Sequence, residues 1–322
     1  MSYYQLTPDV IIDALSSIGI HVDTGLMALN SYENRVYRFN SDADGPLVVK
    51  FYRPERWTLA QIQEEHNFLF ALAAAKVRVA TPVQREQSSI FVWQDIPFAV
   101  WPAVRGRSFE TDNLDQLTAL GEQLARLHQV GEHFTLNARP TLSAEQVLTH
   151  AQQVLEQEAI MPNKLRNEFF SQLSALNSKA SQLYQPQQQL TIHGDCHGSN
   201  ILWQDGVWLV DFDDCRQGPA VQDLWMMLSG PRQEQLLQLD ALLSGYEEVR
   251  EFNNTELALI EPLRAIRMVN YMAWLATRWS DPAFPANFPW FNTEDYWLQQ
   301  TKVLAEQRQA LDAAPLSLTS WY

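Results

Sequence analysis

The 322 residues carry a formal net charge of −15, with 46% hydrophobic and 19% charged side chains. That balance builds a core rather than a disordered chain, and the length suits one large domain or two closely packed lobes. An acidic surface repels nucleic-acid phosphates and anionic lipid, which argues against a nucleic-acid or membrane-surface role while leaving room for a local basic pocket that holds a nucleotide.

The first ten residues place Pro8 and Asp9 where a secretory leader needs an apolar core, and no apolar run reaches the ~20 residues of a membrane span. Thr7-Pro8 opens a first helix, with a polar cap ahead of proline at the first helical position, and Gly19 ends it. Strands follow around Leu26–Leu29 and Arg35–Phe39, joined by the polar loop Asn30–Asn34. Turn chemistry over Asn40–Gly45 leads into an apolar strand, Leu47–Phe51. Thr58 and Gln61 have the spacing of a capping box for a helix that runs to about Ala75. Ile90–Trp93 and Phe98–Trp101 read as two more strands. This pattern predicts a small antiparallel lobe over residues 1–102.

From Asn113 the pattern turns helical. Leu114, Leu117, Leu120, Leu124 and Leu127 recur at spacings of three and four, and Gly131 is expected to close that helix. Two further helices fit Ser143–Ile160 and Asn163–Tyr184, followed by a Gln-rich connector, Gln185–Gln189. A motif-dense loop and a short hairpin occupy Thr191–Asp214, and the chain from Ala220 reads as helix. Residues 103–322 thus form a larger helical lobe, making the fold α+β. The aromatic tail Trp274–Trp297, with Pro282, Pro285 and Pro289, reads as irregular structure packed on that lobe or as the lining of a cleft. Cys196 and Cys215 stand 19 positions apart outside any C-x-x-C pair, so neither a disulfide framework nor a structural zinc site is expected, and a reducing cytoplasm is.

The densest chemistry lies in His193-Gly194-Asp195-Cys196-His197-Gly198-Ser199-Asn200, followed sixteen residues after Asp195 by Asp211 in Val210-Asp211-Phe212-Asp213. Phosphoryl transfer to a hydroxyl needs a carboxylate to take the proton and oxygen ligands for the Mg²⁺ on the phosphates. An H-x-D-x-x-x-x-N loop followed by a strand-end Asp meets both needs. Asp195 is then the base, and Asn200 and Asp211 are hard-oxygen metal ligands. A second reading gathers His193, Asp195 and His197 around a transition metal, which leaves Asn200 and Lys50 without roles. The other five histidines, His21, His66, His128, His133 and His150, are scattered and read as surface or core residues.

Lys50 sits inside an apolar strand, where a charge needs a partner. Glu64 and Glu65 on the next helix are the candidates. Glu65 is favoured because Phe68, Leu69 and Leu72 follow at helical spacing. No glycine-rich phosphate loop is present. Asn30–Asn34 takes its position, and Ser31 can offer a hydroxyl and backbone N–H groups to a phosphate. Phe98–Val104, ahead of Arg105-Gly106-Arg107, falls where backbone groups would hold adenine.

With these residues in place, the chain resembles the choline and aminoglycoside kinase family. That family's signature is H-G-D-x-x-x-x-N, an apolar strand ending in I/V-D-F, and G-P-x-x-x-D-L, matched here by Gly218-Pro219-Ala220-Val221-Gln222-Asp223-Leu224. The stretches Asn30–Tyr37, Val48–Trp57, Gly218–Met226 and Ile260–Trp297 are especially similar to a bacterial branch of stress-linked kinases. The resemblance implies a two-lobed protein-kinase-like fold and a monomeric cytoplasmic Ser/Thr protein kinase that phosphorylates itself and protein substrates in stress survival. It implies ATP and Mg²⁺, Asp195 as proton acceptor, Asn200 and Asp211 at the metal, Ser31 and Lys50 at ATP, and Asp223 bracing the loop, with Glu65 expected beside Lys50 at the nucleotide. Asp211-Phe212-Asp213 departs from the D-F-G of protein kinases, and no A-P-E follows, which argues against an activation-loop switch. The family also contains kinases of amino-alcohols and sugars, so a small-molecule acceptor is the rival reading. A kinase-like binding module is disfavoured by the intact Lys50, Asp195, Asn200 and Asp211.

Overall fold

The computed structural model describes residues 3, 6–29, 31–158 and 160–318. Met1, Ser2, Tyr4 and Gln5, Asn30 of the expected phosphate loop and Ala159 of the expected fourth helix lie outside them. In chain order come α1 (Pro8–Ser16), β1 (Met27–Ala28), β2 (Arg35–Ser41), β3 (Gly45–Phe51), α2 (Leu59–Ala74), β4 (Phe91–Trp93), β5 (Ile96–Pro102), β6 (Arg107–Ser108) and α3 (Leu114–His133). Then follow α4 (Ala144–Gln157), α5 (Asn163–Leu183), β7 (Leu190–Ile192), β8 (Ile201–Trp203), β9 (Val207–Leu209), β10 (Arg216–Gly218), α6 (Arg232–Glu247), α7 (Ile260–Thr277), α8 (Ala283–Asn287) and α9 (Glu294–Ala310). The fold is α+β, with an antiparallel sheet in the N-terminal region and a helical C-terminal region.

Two compact units are resolved. The first comprises Met1–Pro140, Leu190–Gln217 and Leu237–Glu251; the second comprises Thr141–Gln189, Gly218–Leu236 and Phe252–Tyr322. The first unit is built on a five-stranded sheet in the order β1-β2-β3-β5-β4. Alternation along β3 decides its two faces. Leu47, Val49 and Phe51 bury against Ile11, Ala14 and Leu15 of α1. Lys50, opposite Val36 of β2 and Ala99 of β5, turns to the other face. There Tyr52, Ala99, Trp101 and Ile62 of α2 form a second small core. The expected capping box is present on α2: Thr58 Oγ1 accepts from the Gln61 N–H, and Gln61 Oε1 accepts from the Thr58 N–H.

Two expectations are corrected. Gly131 does not close α3, which runs on to His133. A Cβ at Gly131 would lie 2.0 Å from the Thr191 carbonyl oxygen, so this glycine is there for the close approach of α3 to β7. The chain from Ala220 is not helical throughout: short 3₁₀ turns at Ala220–Asp223 and Trp225–Met227 precede α6.

The second unit is helical. Its aromatic tail packs as a chain of ring contacts. Trp274 lies 5.1 Å from Phe284, Phe291 lies 5.1 Å from Trp297, and Trp297 lies 5.3 Å from Phe169 of α5, centroid to centroid. Among the described residues no helix is long and apolar enough to cross a membrane.

Candidate active site

All the residues singled out for phosphate, metal and proton chemistry lie in the first unit. Lys50 Nζ is 3.2 Å from Asp213 Oδ1, 3.4 Å from Asp211 Oδ1 and 3.6 Å from Glu65 Oε1. The strand lysine therefore meets the α2 glutamate as expected, but its nearest carboxylate is Asp213, which the sequence reading had not assigned. Asp213 also accepts from Asn34 Nδ2 at 2.8 Å and lies 3.4 Å from Arg56 Nη1. Burial alone would push the Lys50 pKa down; the carboxylates of Asp213, Glu65 and Asp211 outweigh it and hold the ammonium well above the usual lysine range. Burial likewise pushes Asp213 up, but Lys50, Arg56 and the Asn34 amide bring its carboxyl well below the usual range. Burial pushes Glu65 up against the pull of Lys50 and Arg139.

Glu64 and Glu65 divide between two tasks. Glu65 faces inward, its side chain 1% exposed, and Oε2 accepts from Arg139 Nη2 at 2.9 Å. Glu64 faces the segment after α3 and accepts backbone N–H groups from Asn137 at 2.6 Å, Ala138 at 2.9 Å and Arg139 at 2.9 Å.

The His193–Asn200 loop is held by its own histidines. His193 is fully buried; Nδ1 accepts from the Asp195 N–H at 3.3 Å, so the ring proton sits on Nε2, which donates to the Val210 carbonyl at 2.9 Å. One imidazole thus ties Asp195 to the residue before Asp211. His197 Nδ1 accepts from the Ser199 N–H at 3.2 Å, which leaves the ring proton on Nε2, 3.3 Å from Asp195 Oδ2. Asn200 Nδ2 donates to the Asp195 carbonyl at 3.0 Å. Gly194, at φ +85°, permits the tight start of the loop, where a Cβ would lie 2.2 Å from the Asp214 carbonyl oxygen. Asp211 itself adopts φ +60°, an uncommon backbone for a residue with a side chain and a form of strain that clusters at functional sites.

Of these groups, Lys50, Glu65, Asn200 and Asp211 line a cavity of about 400 Å³. Its apolar walls include Val36, Val48, Trp101, Leu202 and Leu209, and its polar lining includes Ser31, Lys50, Asn200 and Asp211. Asp195 lies beside it, bonded to Asn200 through its carbonyl. Of the expected adenine-binding segment, Trp101, Pro102, Ala103 and Val104 line the cavity, although the Ala103 N–H is already donated to the Pro46 carbonyl. The donors present suit a hard divalent cation. The Asp211 side chain is 52% exposed, and the bond made by the Asn200 amide nitrogen leaves its oxygen for a ligand role. Among the described residues no three His, Cys, Asp or Glu side chains converge as a metal cluster. The transition-metal reading of His193 and His197 also fails on geometry, because both ring nitrogens of His193 bond to backbone groups.

Residues 26–260 match the family described as Phosphotransferase enzyme family. The chain belongs to this family. Stress response kinase A of Escherichia coli strain K12 is 48% identical over 322 residues, spanning 100% of this chain and 98% of that one. Serine/threonine protein kinase RdoA of Salmonella typhimurium is 47% identical over the same spans. Among solved structures, the microcompartment-associated aminopropanol kinase aligns with a TM-score of 0.70 at 20% identity, covering 96% of this chain and 99% of that one, which shows the fold. Amicoumacin kinase hAmiN, solved with AMP-PNP, Ca²⁺ and Ami, aligns with a TM-score of 0.70 at 20% identity over 91% of this chain and 90% of that one. The protein is an ATP-dependent phosphotransferase.

Two residues of this phosphotransferase escaped the sequence reading. Asp213 is the second Asp of D-F-D, and the motif marks it only as the residue that stands in place of glycine. Arg139 gave no signal at all: it is a single arginine in a loop before Pro140, and its partners are mostly main-chain carbonyls.

Proposed function

We propose that the protein is a Ser/Thr protein kinase that transfers the γ-phosphate of Mg²⁺-ATP to protein hydroxyls, including its own. The observation that carries this reading is the 47% identity, along the whole chain, to a relative named serine/threonine protein kinase. The relatives' names also support a role in stress response. A cytoplasmic setting, where ATP is at hand, fits two buried cysteine thiols.

In this reading Asp195 takes the proton from the attacking hydroxyl. His197, with Nδ1 tied to the Ser199 N–H, presents Nε2–H to Asp195 Oδ2 and orients that carboxylate. Lys50 and Ser31 bind the phosphates, and Glu65 orients Lys50. The Asn200 amide oxygen and the Asp211 carboxylate would hold Mg²⁺, which when bound neutralises charge on the phosphates. The apolar walls at Val36, Val48, Leu202 and Leu209 exclude water and take the base.

The test is incubation of the purified protein with γ-labelled ATP and Mg²⁺ and no added acceptor, followed by phosphoamino-acid analysis. Label on Ser or Thr that disappears in Asp195→Asn is expected. An unlabelled protein that turns over ATP only with an added amino-alcohol or sugar would replace the protein-kinase reading with a small-molecule one.

A further inference from the structure

Arg139 has no exposed side-chain surface, an unusual state for a guanidinium unless its donors are satisfied. Nε donates to the Gln61 carbonyl at 2.8 Å, Nη1 to the carbonyls of Asp213 at 2.7 Å and Cys215 at 3.1 Å, and Nη2 to Glu65 Oε2 at 2.9 Å. Its plane lies over the Trp57 ring, 4.5 Å from the centroid. One side chain thus joins α2, the α2 glutamate that faces Lys50, and the stretch immediately after Asp211. The loop that carries it is clamped to the same helix from the outside. Glu64 takes the N–H groups of residues 137–139, and Gln61 Nε2 donates to the Ala138 carbonyl at 2.9 Å.

We propose that Arg139 is a positioning residue for phosphoryl transfer: it sets Glu65, and through Glu65 the reach of Lys50, while fixing the segment that follows Asp211. The inference rests on the proposed roles of Lys50 and Glu65. Neighbouring glutamates on α2 then act as two halves of one latch, Glu64 on the loop backbone and Glu65 on the loop's arginine. A lysine cannot replace Arg139, because a point charge on a flexible stem cannot reach a carboxylate and three carbonyls in one plane.

The experiment measures steady-state kinetics in ATP, with melting temperature alongside, for Arg139→Lys, Arg139→Met, Glu65→Gln, the double variant Arg139→Met/Glu65→Gln, Glu64→Gln and Lys50→Met. A misplaced catalytic group costs up to about 10²-fold. Arg139→Met and Arg139→Lys are therefore expected to lose about 10-fold to 100-fold in kcat/KM for ATP, well below their melting transitions. The double variant should lose no more than the worse single, because both substitutions break one linkage. Glu64→Gln, which removes no member of the buried cluster, should raise KM for ATP several-fold and leave the protein folded; it carries the test if the Arg139 variants do not fold. Near-native kinetics in folded Arg139→Met, rescue by Arg139→Lys, additive losses in the double variant, or unchanged kinetics in Glu64→Gln would each overturn the proposal. Lys50→Met separates two failures: if it is fully active, the assigned role of Lys50 is wrong; if it is inactive while Arg139→Met works normally, only the inference about Arg139 falls.

Discussion

The cluster under the sheet and the loop beside it carry the same kinds of charge in opposite surroundings. Around Lys50 the side chains are dry: Lys50 is 9% exposed, Glu65 1%, Asp213 6% and Arg139 0%. In the loop and at the strand end, Asp195 is 26% exposed, His197 31% and Asp211 52%. A buried charge without a partner is costly, so each dry group is bound by several others and its position is over-determined. The wet groups can trade water for a phosphate, a cation or a hydroxyl at little cost. The first region is suited to holding geometry and the second to meeting the reactants.

Substitutions in the two regions should therefore fail differently. Asp195→Ala removes the proposed proton acceptor from the wet side, and turnover should fall by about 10²–10⁴-fold with the melting temperature near that of the parent. Asp211→Ala should lose Mg²⁺-dependent activity with the same thermal signature, as read by activity across a Mg²⁺ titration. Lys50→Met strips the dry cluster of its central cation and leaves Glu65 and Asp213 facing each other. A loss of about 3–5 kcal/mol of stability is expected in chemical denaturation, together with weak ATP use. Lys50→Arg should not restore activity, since the planar fork does not match a site built for a point charge.

Acid sensitivity sharpens the contrast. His66 is fully buried between Tyr52 OH, 3.0 Å from Nε2, and Ser89 Oγ, 2.8 Å from Nδ1. Burial and the nearby cations Lys50 and Arg139 lower its pKa from 6.5 to about 3. Between those values the unfolded chain binds a proton that the folded chain refuses. Stability is therefore expected to fall with acidification through that window, by up to about 1.4 kcal/mol per pH unit. His66→Gln should flatten this limb in urea melts taken at several pH values. Asp213, with its depressed pKa, adds a loss that sets in as the pH falls through the ordinary carboxylate range and continues below it. The smallest effect belongs to an exposed pair elsewhere, Arg126–Glu122 at 2.8 Å, where Glu122→Gln should cost about 0.3–0.5 kcal/mol.

The same contrast explains what was legible in the sequence. The H-G-D-x-x-x-x-N loop is contiguous, so its spacing alone places Asp195 and Asn200 together, and the period-two pattern of β3 turns Lys50 away from the α1 core. Helix starts were readable at Thr7, Thr58, Asn113 and Ser143, because each cap bonds within three residues. The dry cluster was only half readable. Lys50 called for a partner, and the hydrophobic face of α2 pointed to Glu65. The bonds to Asp213 and Arg139 span long stretches of chain and leave no period or spacing behind them. Gly131 is ambiguous in sequence because a glycine near a helix end has two uses, termination and close approach, and only the position of Thr191 distinguishes them.

The division between holding and reacting is tested most directly by calorimetric titration of AMP-PNP with Mg²⁺ into Asp195→Asn and Lys50→Met, set beside the turnover of each. Asp195→Asn should bind the nucleotide within about three-fold of the parent while turnover falls at least 10²-fold, as expected for a group that acts in the transition state. Lys50→Met should lose nucleotide affinity as well as turnover. Equal losses of affinity and turnover in Asp195→Asn, or native affinity in Lys50→Met, would contradict the account.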